Sequence, residues 1–300
     1  MTSRESGRMV EEGMSRRRML GLGTAMAAGF VATGCFTAQR DTTAAPSSPE
    51  TASPPGDRVV VSKAAPPPPD NSPAAVAARY AGVQPQQWGV EMAGITSTFA
   101  AAGKQMALTF DACGGPGNND IDQSLIDFLV AQRIPATLFL NKRWIDANQG
   151  RAAQLAANPL FELANHGVAH KPLSVTGRAA YGITGTGSAQ EAADEVWANH
   201  ERLSGLLGRP PRFFRAGTAH YDDVAVRIVR EIGETPLGFS INADYGATAS
   251  AKHVETAMNA AAPGAISLAH MHRPQSGTGA GMIAALPTIR AMGFTFVHLP

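Results

Sequence analysis

Between residues 111 and 270, six polar residues stand at the ends of short apolar segments. They are Asp111, His166, Arg215, Asn242, Asp244 and His270. Carboxylates and imidazoles act as general acids and bases, and imidazoles also bind divalent metals. A guanidinium fixes a carboxylate through charge-assisted hydrogen bonds. These side-chain types suit a site that binds a metal and moves protons.

The segment NHGVAH places His166 and His170 four residues apart. At this spacing two imidazoles share one face if the segment turns into a helix, which suits two ligands of one metal. The pair alone is a weak signal, but its position after an apolar segment strengthens the prediction of a metal site. Residue 167 is Gly, so the HExxH pattern of zinc proteases is absent.

The segment SLAHMH ends on a second histidine pair. Alternate residues of an extended chain share a face, so His270 and His272 are both candidates for one site, with His270 as a proton donor near neutral pH. His272 is equally acceptable as an ordinary loop residue. Asn242 and Asp244 either orient a His or Arg side chain or form a turn.

Four further polar residues are weaker candidates for the site. His220 and Tyr221 follow Arg215 and either face a substrate or cover the next helix. His200 and His253 lie in helix-like segments and are predicted to sit on solvated faces.

Seven short β-prone segments must position these residues. They are QMALTF, PATLFL, LFELAN, RFFRAG, PLGFSI, AISLAH and FTFVHL. Helix-like segments alternate with them, and the longest opens with Ser188 and Glu191 at capping-box spacing. This alternation predicts a parallel α/β sheet, open or closed into a barrel. The polar residues would then share its carboxyl edge, which carries the chemistry in barrels.

Residues 1–35 have the pattern of an export signal. Arg16, Arg17 and Arg18 precede an uncharged stretch that runs to Cys35, and SRRRML looks like a twin-arginine signal. ATGC resembles a lipobox, with Ala32 where Leu is usual, in which Cys35 would carry lipid and tether the protein to a membrane. An uncleaved anchor helix over 19–39 is the alternative, but its Gly, Ala and Thr content makes a poor span.

Composition then divides the rest of the chain. Residues 36–75 are rich in Ala, Ser, Thr and Pro and are predicted to be a disordered linker, which leaves 76–300 as one domain. The formal net charge of +1 does not indicate a nucleic-acid-binding protein. The chain has two cysteines, so Cys113 has no disulfide partner if Cys35 carries lipid.

Five motifs in order resemble the polysaccharide deacetylase family, the NodB-type esterase domain. TFDACGG resembles TFDDG, NHGVAHKP resembles HTxxHP, FFRAG resembles FRPPYG, SINADY resembles the DxxDW segment and SLAH resembles LxH. The resemblance runs from about residue 103 to 300. It implies a distorted parallel (β/α) barrel of about seven strands that removes acetyl groups from N-acetylated or O-acetylated sugars.

In that family a divalent metal, usually zinc, is held by Asp-His-His, and the metal lowers the pKa of its bound water towards ~7. Carried over by position, the resemblance implies that His166 and His170 are metal ligands. It also implies that Asp111 is the general base and that Arg215 holds it in place.

The other implied roles lie further along the chain. His270 would be the general acid for the leaving amine or alcohol, oriented by Asp244 or Asn242. The metal and a backbone N–H near residues 216–218 would stabilise the oxyanion.

This chain departs from the family pattern at the third metal ligand, where Ala112 replaces an aspartate. Either Asp111 is drawn to the metal, or Cys113 or a solvent molecule fills the position, or the metal is weak or absent. A thiolate binds zinc well, but a small buried apolar role for Cys113 is the favoured interpretation. The prolines after Arg215 are also missing, and Asn242 stands where Asp is common.

These patterns predict an exported, membrane-tethered, metal-dependent hydrolase that removes acetyl groups from a polysaccharide. The predicted export favours cell-wall N-acetyl sugars as its substrate. The rival interpretation, which rests on Ala112, is a metal-free glycan-binding pseudoenzyme that keeps the cleft. Amide or peptide hydrolysis by the same chemistry has less support.

Overall fold

The computed structural model describes residues 70–300, which contain ten strands and eight helices. The strands are β1 (Trp88–Gly89), β2 (Gln105–Ala112), β3 (Ala136–Leu140), β4 (Phe161–Asn165), β5 (Phe213–Phe214), β6 (Tyr221–Asp222), β7 (Thr235–Pro236), β8 (Ile241–Asn242), β9 (Ile266–His270) and β10 (Thr295–Phe296). The helices are α1 (Pro73–Arg79), α2 (Gln123–Ala131), α3 (Lys142–Ala147), α4 (Gln149–Ala157), α5 (Ala189–Leu207), α6 (Asp223–Ile232), α7 (Ala251–Met258) and α8 (Thr278–Ala291).

Seven parallel strands form the main sheet, in the order β7–β5–β4–β3–β2–β9–β8, and β10 pairs with the start of β2. The two edge strands, β7 and β8, are separated in sequence by only residues 237–240. A linker of that length spans about 17 Å at most, whereas the edges of a flat seven-stranded sheet lie about 29 Å apart. The sheet therefore curls into a half-barrel, and the predicted parallel α/β barrel architecture is confirmed.

Both faces of the central strands are covered, as expected for a parallel sheet. Leu108, Phe110 and Ala112 of β2 belong to the core that packs between the sheet and its helices. Ala107 of the same strand belongs to a separate inner cluster. Successive side chains of β2 thus point alternately to the helices and to the inner side of the sheet, and Asp111 lies on the inner side.

Helix ends follow their sequence signals closely. Ser188 caps α5 by accepting the Glu191 backbone N–H, and Asp222 caps α6 in the same way. Gly208 and Gly233 end these two helices in the left-handed conformation. The longest helix-like segment, which opens with Ser188, forms α5 as predicted.

The segment PLGFSI was predicted to be one strand, and this is wrong. It forms β7 and β8 at opposite edges of the sheet, joined by residues 237–240. Between the two strands, the Gly238 N–H donates to the backbone oxygen of Thr96 in an isolated bridge outside the main sheet. An apolar run cannot by itself distinguish one buried strand from two short strands joined by a buried link.

Helix α1 begins at Pro73, inside the segment predicted as linker, because Ser72 caps it and Val76 and Tyr80 pack into the core. The export signal, the lipidated Cys35, the anchor alternative and most of the linker lie outside the described residues. Within residues 70–300, none of the helices combines the length and the apolar character that a membrane span requires.

Candidate functional site

Five parallel strands deliver the predicted polar residues to one edge of the sheet. Asp111 lies near the end of β2, His166 follows β4, Arg215 follows β5, Asp244 lies two residues beyond β8, and His270 ends β9. Asp111 and His270 are register partners on neighbouring strands. The structure therefore brings the predicted residues together at the carboxyl edge.

The side chains of Asp111 and Arg215 form a buried ion pair. Asp111 Oδ1 accepts a 2.7 Å hydrogen bond from Arg215 Nη1, and the two residues are 3% and 0% exposed. Arg215 Nη2 donates to the backbone oxygen of Gly238, and its guanidinium lies 4.2 Å from the centre of the Phe139 ring. The pair leaves Oδ2 as the carboxylate oxygen of Asp111 that Arg215 does not hold.

His166 is fixed with one ring nitrogen directed into the site. Its Nδ1 lies 2.9 Å from the backbone oxygen of Arg215, to which it donates. Its Nε2 therefore faces Asp111 Oδ2 at 3.6 Å and Cys113 Sγ at 3.8 Å. This is the tautomer that a metal-binding imidazole adopts when its second nitrogen bonds a carbonyl.

His170 reaches the same place through a turn. The segment from His166 to His170 is a loop, so the two imidazoles do not share a helical face. Gly167 and His170 both have positive φ, 74° and 60°, and this reversal puts the two imidazoles 4.9 Å apart, edge to face. His170 Nε2 is buried and has no hydrogen-bond partner among residues 70–300.

Cys113 completes a group of three metal-ligating side chains with these histidines. The ligand atoms of Cys113, His166 and His170 all lie within 4.8 Å of one another. Burial raises the pKa of the Cys113 thiol, but the neighbouring His170 and the imidazole contacts lower it more, to well below its usual value. We call these three residues the candidate metal group.

Ala112 lies outside that group because its side chain points to the other side of the strand. It is fully buried in the core between the sheet and the helices, whereas Asp111 and Cys113 both line the cleft. Residues two apart in an extended chain share a face. The alternation of side chains along a strand could therefore have identified Cys113, from the sequence alone, as a residue on the same side as Asp111.

The loop that carries His170 is held by a carboxylate beneath it. Glu195 of α5 accepts the backbone N–H groups of Val168, Ala169 and Lys171 at 2.9–3.3 Å. Glu195 is 6% exposed, and burial raises the pKa of its carboxyl group. A side chain at Gly167 would place a Cβ 2.6 Å from Glu195 Oε1, so glycine permits this close approach.

Replacing Glu195 with Ala is expected to lower the free energy of unfolding by about 1–3 kcal/mol, because buried donors lose their acceptor. Hydrogen exchange at residues 168–171 should accelerate as well. Thermal unfolding and exchange followed by mass spectrometry measure the two effects. Glu201→Ala, an exposed site on the same helix, should change stability by less than about 0.5 kcal/mol. Equal effects in both variants would refute this role of Glu195.

His270 is held by Asp244 from behind. Its Nδ1 lies 2.8 Å from Asp244 Oδ1, and its backbone N–H donates to Asp244 Oδ2. Thr278 also donates to that oxygen. Burial lowers the pKa of His270, but the Asp244 carboxylate raises it more, to well above its usual value. Asn242 instead accepts the Tyr245 backbone N–H in a turn.

Several other predicted residues are placed elsewhere. His272 is buried with its Nδ1 3.3 Å from the backbone oxygen of Asp111, and it does not line the cleft. Tyr221 is fully buried under the sheet edge. His253 is exposed as predicted, whereas His200 is buried and its Nδ1 bonds Glu234 at 2.7 Å. Its burial comes from a long-range partner that helical spacing does not reveal.

The N–H groups of residues 216–218 are only partly available for an oxyanion. Ala216 N–H donates to the Tyr221 hydroxyl at 2.8 Å, and Gly217 N–H donates to the Lys171 oxygen at 3.2 Å. Among the described residues, Thr218 N–H has no such partner, and Thr218 lines the cleft. Thr218 is thus the member of the predicted range that remains free to donate.

Gly114, the first glycine after Cys113, packs against a helix. It has φ 64°, and a Cβ there would lie 2.5 Å from the backbone nitrogen of Trp144 in α3. Glycine at this position therefore permits the close approach of two backbones.

These residues open onto a cleft of about 330 Å³. Its polar floor includes Asp111, Cys113, His170 and His270, and its walls are mostly apolar. Tyr181 and Tyr245 are 81% and 58% exposed and flank it. Flat, exposed aromatic rings beside an open cleft suit a sugar chain better than a small enclosed ligand.

Fold and site together define an α/β half-barrel with a buried carboxylate and a candidate metal group at the carboxyl edge of its sheet. Residues 100–237 match the model of the polysaccharide deacetylase family, in agreement with the resemblance of the motifs. The match ends before Asp244 and His270. No curated protein matches the chain.

Several solved structures share the fold of this chain. A CE4 family pseudoenzyme from Bacillus anthracis is 18% identical with a TM-score of 0.56, over 67% of this chain and 65% of that one. A peptidoglycan N-acetylglucosamine deacetylase is 20% identical with a TM-score of 0.58, over 69% and 91%. An acetyl xylan esterase from Clostridium thermocellum, in complex with cobalt, is 21% identical with a TM-score of 0.52, over 65% and 87%.

Proposed function

We propose that this protein is an exported, metal-dependent hydrolase that removes acetyl groups from an acetylated polysaccharide, with cell-wall N-acetyl sugars as its substrate class. One observation carries the proposal. A single open cleft contains a carboxylate held by an arginine, Asp111, and an imidazole held by a carboxylate, His270, beside the candidate metal group. A proton acceptor and a proton donor therefore face the same space.

The candidate metal group fits a divalent metal. Its sulfur and nitrogen donors are those that zinc prefers, and ligands of one tetrahedral zinc lie about 3.3–3.6 Å apart, close to the 3.8 Å between Cys113 Sγ and His166 Nε2. The buried and unpartnered Nε2 of His170 also needs such a partner. A bound metal supplies Lewis-acid activation of water and of a carbonyl group.

Asp111 is placed to act as the general base. Arg215 holds its Oδ1, so Oδ2 is the oxygen that accepts the proton of the attacking water. The pair with Arg215 also fixes the carboxylate in one orientation, which lowers the entropic cost of reaching a reactive geometry.

His270 is placed to act as the general acid. Its Nδ1 bonds Asp244, so Nε2 is the nitrogen that donates a proton to the leaving amine or alcohol. Its raised pKa keeps both ring nitrogens protonated near neutral pH. Thr218 N–H is the donor for the negative oxygen that develops during attack.

The substrate class is supported by two further observations. Structural neighbours include a peptidoglycan N-acetylglucosamine deacetylase and an acetyl xylan esterase, and both of those names specify acetylated polysaccharides. The SRRRML and ATGC patterns of the first 35 residues favour export and lipidation at Cys35, which would bring the site to the cell wall.

A glycan-binding pseudoenzyme is the second candidate. Ala112, at the position of a family metal ligand, favours it, and so does the presence of a CE4 pseudoenzyme among the structural neighbours. Such a protein would keep the cleft and its exposed tyrosines and would lack turnover.

Acetate release tests the proposal. The zinc-loaded protein should release acetate from at least one member of a panel of chitin oligomers, peptidoglycan fragments and acetylated xylan. Asp111→Asn removes the proton acceptor and should lower the rate by about 10²–10⁴.

Asp127→Asn serves as the matched control, because Asp127 is exposed on α2. Its rate should equal that of the wild type. Binding of these glycans without acetate release by wild-type protein would overturn the proposal in favour of the pseudoenzyme.

A further inference from the structure

Ala112 stands where the family has its third metal ligand, and an alanine side chain cannot bind a metal. Ala112 follows Phe110 and Leu108 on the helix-facing side of β2 and is fully buried there. A longer side chain at this position would enter the hydrophobic core. On this backbone, a ligand at residue 112 would therefore point away from His166 and His170.

Cys113 stands one residue further on and faces the opposite way. Its Sγ lies 3.8 Å from His166 Nε2, and the ligand atoms of Cys113, His166 and His170 lie within 4.8 Å of one another. Within residues 70–300 Cys113 is a free cysteine, so no disulfide competes there for its thiol. Cys113 is 8% exposed and lines the cleft.

The two histidines present their nitrogens as ligands would. His166 uses Nδ1 on a backbone carbonyl and turns Nε2 towards Cys113. His170 directs a buried Nε2 that has no protein partner in the described part of the chain. A buried nitrogen without a partner is costly, and a shared cation beside Cys113 would remove that cost.

Asp111 is a weaker candidate for the third ligand. Its carboxylate is not part of the group of three, and its Oδ1 is bound to Arg215 at 2.7 Å. Its Oδ2 lies 3.6 Å from His166 Nε2, but this is the oxygen placed to accept the proton of the attacking water. The carboxylate is thereby reserved for proton transfer.

We propose that the thiolate of Cys113 replaces the missing carboxylate and completes a Cys-His-His metal site. The inference rests on the proposed function in one respect: both require that the candidate metal group binds a metal. On binding, the thiol proton passes to solvent and the sulfur lone pair forms the bond to the metal. A soft sulfur ligand selects zinc and cobalt over magnesium, calcium and manganese.

Cobalt(II) reports this ligand directly, because a thiolate bound to cobalt gives a charge-transfer absorption band in the near ultraviolet. The titration is made in the full chain carrying Cys35→Ser, since Cys35 is the one other cysteine of the sequence. We expect one cobalt per chain and a charge-transfer band that saturates at that ratio.

Two variants separate sulfur ligation from general damage. Cys113→Ala should abolish the band and weaken cobalt binding by at least about 10–100-fold, the loss that even an outer-shell partner causes. Cys113→Asp should also abolish the band but restore much of the affinity, because it returns a carboxylate to the site. Far-ultraviolet circular dichroism of both variants checks that they fold.

The outcomes distinguish this inference from the proposed function. One cobalt bound without a charge-transfer band would exclude Cys113 as ligand and leave the metal-dependent hydrolase standing. Binding that is insensitive to His166→Ala would remove the metal site altogether, and both proposals would fall. A saturating band lost in Cys113→Ala would establish the thiolate ligand even if acetate release were never observed.

Discussion

Replacing His270 with Ala is expected to lower the rate of acetate release by about 10²–10⁴, the usual contribution of general acid catalysis. His270 ends β9 with its ring in the cleft and its Nδ1 held by Asp244. No other imidazole that lines the cleft has a carboxylate behind it in the described residues. The measurement is kcat/KM for acetate release from the best substrate of the panel.

His298→Ala is the control, because His298 does not line the cleft and its Nε2 lies 3.2 Å from the backbone oxygen of Pro159. It removes an imidazole of the same chain away from the cleft. A His270→Ala protein that retains activity within about threefold of the wild type would exclude His270 as the proton donor.

The pH profile gives a second readout for the same residue. Burial lowers the pKa of His270, whereas the Asp244 carboxylate raises it to well above its usual value of 6.5. A general acid works while it is protonated, so activity should persist above pH 6.5 and decline as the pH rises through the raised pKa. Asp244→Asn removes the charge that raises this pKa.

The alkaline limb of the profile should therefore move to lower pH in Asp244→Asn. Asp127→Asn should leave the limb in place, because Asp127 is remote and exposed. A limb that does not move in Asp244→Asn would show that His270 does not set it.

Replacing Arg215 with Met is expected to lower the free energy of unfolding by about 3–5 kcal/mol, because it leaves the buried carboxylate of Asp111 without a counter-charge. Arg215 is fully buried and Asp111 is 3% exposed, so water cannot compensate. The loss is a large part of the stability of a typical domain. Urea unfolding measures it.

A double-mutant cycle isolates the pair. Arg215→Met combined with Asp111→Asn should cost less than the sum of the two single changes, because the neutral Asn no longer needs a cation. Arg230→Met, at an exposed position of α6, should change stability by about 0.5 kcal/mol or less. Additive costs in the cycle would show that the two side chains do not depend on each other.

The sequence predicted the sheet and its active edge well, because both depend on local patterns. Apolar segments such as QMALTF and AISLAH formed the long buried strands β2 and β9. The residue at the end of such a strand in a parallel sheet lies at one edge whatever the details of packing. Asp111 and His270 could therefore be placed at the same edge from their segments, whereas their adjacency was decided by the pairing of β2 with β9.

Features that depend on facing direction or on distant partners were decided by the tertiary structure. Only the fold shows that Asp244, and not Asn242, holds His270, and that His200 is buried against Glu234. The turn that brings His170 to His166 depends on Glu195, which lies 25 residues further along the chain. Such contacts join segments that are distant in sequence, and no periodic pattern of residues reveals them.

The residue types determined which chemistry this chain can offer: two carboxylates, three imidazoles, a guanidinium and a thiol at or just after strand ends. The tertiary structure decided which of them share a space. It directs Ala112 into the core and Cys113 towards His166, because successive side chains of a strand point to opposite sides. The sequence shows that alanine stands at the position of a family ligand, and the direction of one side chain identifies Cys113 as the replacement that we propose.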